Sequence, residues 1–399
     1  MLRTYEYRLY PNKEQQILFA KHFGCVRFIY NYMLSYKTKL YETEQKNINK
    51  FEMCSMVTQM KKQDEYSWLK EVNSQSLNVS IYNLEKAYTG FFRDKKGYPR
   101  FKSKYDKQTF ACPQFVTVDF ENNKITLPKF KTPISCIFSR VFVGKIKTCT
   151  IKKTKTNKYF ISILVDDGLK EPEKPTITKV TSIGIDLGIK DFAILSNGNK
   201  ISNPKFYRNN EQRLKILQRR ASKKQKGSKN RQKANLKVAL LHEKIHNQRK
   251  DFIYKTVRWL FDKNQANTFC LETLNSSGMM KNHRLAKSIQ DVSWSMFNQI
   301  LEGKCNLEGK NILRIGRFEP SSKTCSNCGY IVDKIPLSIR EWVCPKCGTH
   351  HDRDINAAKN IKQIALYKEF SGLEQSDELV EMLELSKSTK QEFDCSGDQ

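Results

Sequence analysis

Near its end the chain carries two Cys-x-x-Cys pairs, Cys325-Ser-Asn-Cys328 and Cys344-Pro-Lys-Cys347, separated by fifteen residues. No other stretch constrains the fold as tightly. Each pair sets two thiolates on one tight turn, followed by a glycine, Gly329 or Gly348, that is free to take positive φ. Brought together, the four sulfurs make a closed tetrahedral site, and the spacing is that of structural Zn²⁺. Two disulfides or four unrelated buried thiols are the alternatives. No signal peptide opens the sequence, and the other eight of the twelve cysteines are scattered singly, the usage of a reduced cytoplasmic protein. We therefore expect a zinc ribbon with Cys325, Cys328, Cys344 and Cys347 as ligands, and with His350 and His351 as bystanders.

Directly after the ribbon, Asp352-Arg-Asp354-Ile-Asn356 leads into a helical run through Ala357, Ala358, Ile361, Ile364 and Ala365. A carboxylate there can simply cap the helix, accepting its free N–H groups. It can also be a ligand, delivered by a zinc-pinned turn to a site whose other members lie upstream. Two candidates stand out. Val180 to Gly198 reads as a buried strand, a tight turn at Gly188 and a second strand. Asp186 in that first strand is a charge in an apolar run, costly unless a metal or cation meets it. Glu272 closes another apolar strand, Thr268–Glu272. Together Asp186, Glu272 and Asp354 suit two divalent ions, one activating water and one stabilising the leaving oxygen of a phosphodiester. Mg²⁺ takes oxygen ligands and retains waters, so a few carboxylates suffice and no histidine is needed.

The charge balance names the partner class. The 399 residues carry 71 Lys+Arg against 41 Asp+Glu, a formal charge of +30, which points to nucleic acid and a nucleoid-associated protein. No apolar run approaches the roughly 20 residues of a membrane span. Residues 205–250 hold sixteen Lys+Arg against two Glu on a pattern of long helices broken by a loop at Ser222–Asn230. Such a ratio repels itself without a polyanion, and Arg219, Arg220, Lys223 and Lys224 are candidate contacts. A second basic stretch, 93–104, surrounds aromatic residues; there Tyr98, Arg100, Phe101 and Lys102 can meet bases and phosphates, or form a solvated loop.

The remainder supplies scaffolding. Residues 4–10 alternate like a strand, Pro11 stops it, and Asn12 with Gln15 forms a capping box for the next helix. Leu77, Ile81, Leu84, Tyr88 and Phe91 make an amphipathic stripe suited to a core. From about 110 to 166 two hairpins turn at Glu121–Asn123 and Thr154–Lys158, consistent with a small β-barrel or sandwich. Residues 167–176 read as a linker. After Gly372 the chain carries eight Asp/Glu against two Lys and a short Leu/Met periodicity at 379–385, fitting either a loose helix or disorder.

Several blocks together resemble the TnpB (OrfB-type) proteins of insertion sequences, compact RNA-guided endonucleases related to type V CRISPR effectors. They are Tyr10-Pro11-Asn12, Gly24 to Asn31, Gly97-Tyr-Pro-Arg-Phe-Lys102, Gly184-Ile-Asp-Leu-Gly188, Asn247-Gln-Arg249-Lys-Asp251, Glu272-Thr-Leu274, the cysteine ribbon and Asp352 to Asn360. The resemblance implies a multidomain α+β fold. Its nuclease part would be an RNase H-like (RuvC) α/β domain with the zinc ribbon inserted. Its N-terminal part would be a β-barrel wedge domain carrying a helical recognition insertion. The implied boundaries are 1–10 for the first wedge strand, 11–108 for the recognition helices and 109–170 for the wedge. The nuclease would occupy 171–320, the ribbon 321–350 and the final nuclease segment 351–371, leaving 372–399 as the acidic tail. The resemblance further implies a guide RNA from the transposon end, a double-stranded DNA target cut beside a short flanking motif, and Asp186, Glu272 and Asp354 as catalytic Mg²⁺ ligands. Asp354 is preferred to Asp352 for its spacing to Asn356-Ala-Ala. In such a protein base pairing reads sequence while the basic chain grips backbone shape. A protein-only transposase, an RNA-guided DNA-binding protein without cleavage, a plain zinc-ribbon DNA binder and an actin-like ATPase stay open as alternatives, as do monomer and dimer.

Overall fold

The computed structural model describes residues 1–336 and 338–371; the acidic tail lies outside the described residues. The chain divides into two units, Met1–Lys170 and the part from Glu171 onward, at the Pro-containing stretch expected to be a linker.

In the first unit, β1 (Leu2–Tyr10) leads to α1 (Lys13–Glu44), α2 (Lys50–Met60), a 3₁₀ stretch (Asp64–Glu71) and α3 (Ser74–Arg93). Six strands follow: β2 (Gln108–Cys112), β3 (Thr117–Asp119), β4 (Lys124–Thr126), β5 (Ile134–Ile137), β6 (Lys145–Lys153) and β7 (Tyr159–Asp166). The capping box forms: Gln15 N donates to Asn12 Oδ1 at 2.8 Å, and Asn12 N donates to Gln15 Oε1 at 3.0 Å. The sheet order is β2-β6-β7-β1-β5-β4-β3, antiparallel throughout. Because β1 pairs with both β7 and β5, the helices are an insertion into the sheet. The expected barrel is not closed by hydrogen bonds. Its edge strands are β2 and β3, which do not pair with each other, and β3 and β4 are three residues each. Tyr159, Ile161, Ile163 and Val165 alternate inward along β7, and Leu77, Ile81, Leu84 and Tyr88 bury one face of α3.

His22 lies in this core between the Phe110 and Phe130 rings. Nδ1 lies 2.9 Å from Leu18 O, and Nε2 accepts from Asn73 N at 3.2 Å, so the ring is bonded in its neutral form. Burial holds its pKa down to about 4. The unfolded chain takes up this proton below about pH 6.5, whereas the folded chain takes it up only near 4. Stability from this group is therefore complete above about pH 7 and falls as the pH drops through 6.5 toward 4, by about 2 kcal/mol at pH 5. Thermal melting of the wild type between pH 7.5 and 5 should show this loss, and His22→Gln should flatten it. An equal slope in both proteins would contradict the assignment.

The second unit contains β8 (Ser182–Asp186), β9 (Asp191–Leu195), β10 (Lys200–Ser202), α4 (Phe206–Ser222), α5 (Lys229–Lys263) and β11 (Thr268–Glu272). It continues with α6 (Ser276–Met279), α7 (His283–Val292), α8 (Trp294–Glu308), β12 (Asn311–Ile315), β13 (Glu341–Val343), β14 (His350–Asp352) and α9 (Arg353–Ser371). The main sheet has the order β10-β9-β8-β11-β12. β8, β11 and β12 are parallel, and β9 and β10 return antiparallel. β8 and β11 are buried nearly end to end, as the apolar runs required. The helix α4 has no side-chain cap of its own. Asp291, buried on α7, accepts from Tyr207 N and Arg208 N at 2.8 and 3.1 Å and pairs with Arg249 at 2.9 Å. The Asn247-Gln-Arg249 block thus serves the scaffold by fixing where the basic hairpin begins. No described helix is long and apolar enough to cross a membrane.

Candidate active site and metal centre

β8 and β11 run parallel with Ile185 opposite Leu271, so the residues that follow, Asp186 and Glu272, emerge side by side at the carboxyl ends of adjacent strands. In an open α/β sheet that is the edge where ligands bind. The third acid arrives on α9, which lies across β8. A Cβ on Gly184 would stand 2.0 Å from Ala358 O and 3.0 Å from Lys362 Cβ, so glycine is required here for close approach. Gly184→Ala should push α9 outward, lower the melting temperature of this unit by roughly 3–10 °C and impair the site. A melting curve identical to wild type would show that α9 does not depend on this contact.

Two buried asparagines hold α9 to the first cysteine turn. Asn356 accepts from Ser326 N at 2.9 Å and donates to Thr324 O at 2.7 Å. Asn360 donates to Ser321 O at 2.7 Å and to Thr324 O at 2.6 Å. Arg353 donates to Pro336 O at 2.6 Å. The two acids of Asp352-Arg-Asp354 divide the work. Asp352 Oδ1 accepts from Asp354 N and Ile355 N, both at 3.0 Å, and Oδ2 accepts from Lys200 at 2.6 Å. It is the helix cap, which relieves Asp354 of that role. Burial works against the Asp352 charge, yet the Lys200 ammonium and the two amides keep its pKa below the usual range.

Burial, then the neighbouring Glu272 and Asp354 carboxylates, push the half-buried Asp186 up to about 7 against the pull of Arg353. Burial also raises Glu272, partly offset by Ser321, whose hydroxyl donates to Oε1 at 3.0 Å. Raised carboxyls facing one another are what a divalent cation would relieve. The Arg340 guanidinium meets both oxygens of Asp354 at 3.1 and 3.3 Å. The three acids do not close into a ligand group as tight as the cysteines do. Sequence reasoning missed Arg340 and Ser321, which touch the candidate acids Asp354 and Glu272, and Lys200, which touches the cap Asp352. Each is an ordinary polar residue in a loop or short strand, and only the fold brings it to the acids.

The cysteines form such a group. All four Sγ atoms lie within 4.8 Å of one another, with Cys325–Cys347 and Cys328–Cys344 each at 3.6 Å. A zinc tetrahedron with ~2.3 Å bonds sets sulfurs roughly 3.8 Å apart, so the residues fit the ion. Gly329 and Gly348 take φ of 74° and 69°. Hydrogen bonds from the Thr349 hydroxyl and amide hold Cys347 down to about 5, favouring thiolate. His351 is more than a bystander. The β13–β14 register sets it opposite Trp342 and buries it, with Nε2 3.0 Å from Cys325 Sγ; His350 is exposed.

Of the basic candidates, Arg219, Arg220, Lys223 and Lys224 are exposed at the end of α4, and Arg100 and Phe101 point outward. Tyr98 is tied by its hydroxyl to Thr38 at 2.9 Å and Tyr88 at 3.1 Å. Lys102 is not the free cation its composition suggested. Asn31 clamps its backbone at 2.8 and 2.9 Å, its ammonium lies 3.6 Å from the centre of the Tyr30 ring, and burial lowers its pKa.

Three family models match the chain: "Probable transposase" over residues 162–283, "Cas12f1-like, TNB domain" over 294–361 and "Helix-turn-helix domain" over 1–46. In this chain the last region holds β1 and the single 32-residue helix α1. A Streptomyces pristinaespiralis protein, provisionally named an RNA-guided DNA endonuclease, is 37% identical over 363 residues, 90% of this chain and 88% of that one. InsQ of Escherichia coli K12, named in the same provisional way, is 31% identical over 90% of this chain and 91% of its own length. A Cas12f1 chain solved with guide RNA and target DNA shares the fold at TM-score 0.54 and 16% identity, over 91% of this chain and 98% of that one. Fold and site thus define a multidomain α+β protein with a four-cysteine ribbon able to hold zinc. The chain belongs to the TnpB family of transposon-associated proteins.

Proposed function

We propose that the chain is an RNA-guided endonuclease that cuts double-stranded DNA beside a short flanking motif, with Asp186, Glu272 and Asp354 holding two Mg²⁺ ions. The observation that supports this reading is that Asp186 and Glu272 leave the ends of adjacent parallel strands and that Glu272 and Asp354, the latter on a helix anchored to the cysteine ribbon, both raise Asp186. The sheet that bears them would be the RuvC-type nuclease core, and the first unit the wedge with its recognition helices. Bound divalent ions supply an activated water and stabilise the leaving oxygen of the phosphodiester. The chain's own residues prepare that chemistry. Asp186 must release its proton to act as a ligand, and its position near pH 7 makes that release accessible. Ser321 orients Glu272, and Asp352 caps α9 so that Asp354 stays free of that duty. Arg340, which pairs with Asp354, would turn to a phosphate oxygen once a cation takes that carboxylate. The exposed cations of α4 and the following turn would grip the backbone of a guide RNA derived from the transposon end.

Expression with the native flanking DNA, purification and sequencing of retained RNA tests the partner. The expected result is one discrete RNA with a constant part ending in sequence copied from the locus flank. Heterogeneous or absent RNA would move the reading to a protein-only transposase.

A further inference from the structure

The hairpin of α4 and α5 leaves a groove of about 760 Å³ whose rim carries Arg213, Arg220, Lys237 and Lys244. Its floor includes Ile216 and Leu240, 48% and 44% exposed. A phosphate backbone accounts for the rim but gives the aliphatic floor no partner, since bases stack on aromatic faces. The groove suits an amphipathic acidic segment, and the sequence of this chain contains one. Leu373 to Leu385 carries Glu374, Asp377, Glu378, Glu381 and Glu384 and no Lys or Arg. Leu379, Met382 and Leu383 are spaced to share one helical face, with carboxylates before and between them. That is the helix-in-groove pattern with complementary charge. The groove and the end of α9 belong to the same unit, so docking in cis requires no motion between units.

We propose that residues 373–385 seat in the α4–α5 groove and act as an internal competitor for nucleic acid. The competitor role rests on the reading of this hairpin as a nucleic-acid face; the docking does not. The seated segment would lay its apolar side on Ile216 and Leu240 and its carboxylates against the four cations. RNA would have to displace it, so weak non-specific polyanions are held off while a tightly bound guide is admitted.

Hydrogen–deuterium exchange on the full chain reads the docking. Amides of 377–385 should be protected in the wild type. Arg213→Glu with Lys237→Glu should speed their exchange at least about tenfold, and adding Asp377→Lys, Glu381→Lys and Glu384→Lys should restore protection. Ile216→Ser with Leu240→Ser, at exposed positions and with every charge kept, should also release the segment. Unprotected amides in the wild type, protection indifferent to these substitutions, or protection that grows with protein concentration would overturn docking in cis. Affinity for a fluorescein-labelled 12-nucleotide RNA at low salt reads the competition. Ile216→Ser with Leu240→Ser, which releases the segment and keeps every charge, should raise it about tenfold. Docking with no change in RNA affinity in any variant would overturn the competitor role and the nucleic-acid reading beneath it. Affinity lost on Arg213→Glu while exchange stays unchanged would overturn the docking alone.

Discussion

Asp186→Asn should lower DNA cleavage by at least about 10³-fold while leaving RNA retention and folding intact. The substitution keeps the shape of the side chain and removes its charge. Asp186 is held near pH 7 by burial and by Glu272 and Asp354, so the amide resembles a form the protein already populates, and the melting temperature should not fall. Glu272→Gln and Asp354→Asn should behave alike, because ligands of one centre fail as a unit. A gel-based cleavage assay and a filter-binding assay on the same preparations separate the two effects. Full cleavage by any one variant would remove that residue from the site.

Cys325→Ser or Cys344→Ser should eliminate the bound zinc and, with it, most of the cleavage. Structural zinc in small ribbons contributes on the order of 10 kcal/mol to local folding. Here the consequence reaches the acids. The first cysteine turn supplies Ser326 N and Thr324 O to Asn356 and Asn360, and the loop between the pairs supplies Arg340 to Asp354. A loosened ribbon therefore frees the start of α9, and cleavage should drop by about 10²-fold or more. Metal analysis by mass spectrometry together with the cleavage assay checks both halves. Wild-type cleavage in a zinc-free variant would mean that the ribbon does not position Asp354.

Much of the candidate site could be read in the sequence because its constraints are local. Four cysteines at metal spacing, a charge inside the apolar Ser182–Asp186 run and a strand ending in Glu272 are each visible without a fold. The Asn12–Gln15 box and the α3 stripe were legible for the same reason, since capping and helical burial depend on neighbours three or four residues away. What escaped depends on distant partners. The Arg340–Asp354 and Ser321–Glu272 contacts join loops to a helix and a strand, and Asp291 caps α4 from 83 and 84 residues away. The strand β10 was missed because it is only three residues long, and β12 because Asn311 and Arg314 interrupt its apolar run. Hairpin counting suggested a barrel or sandwich, but the strand order could not be read, because β1 pairs with β5 and β7, more than a hundred residues away. Lys102 illustrates the limit of composition: a lysine in a basic aromatic loop is drawn onto Tyr30 by a single asparagine clamp.

The most direct measurement is cleavage with a rewritten guide. The purified protein is loaded with an RNA whose constant part is native and whose terminal segment is replaced, then offered plasmids carrying the old or the new matching sequence beside the same flanking motif. The account predicts Mg²⁺-dependent cutting that moves to the new sequence and disappears in Asp186→Asn. Cutting that stays at the old sequence, or that proceeds without RNA, would contradict it.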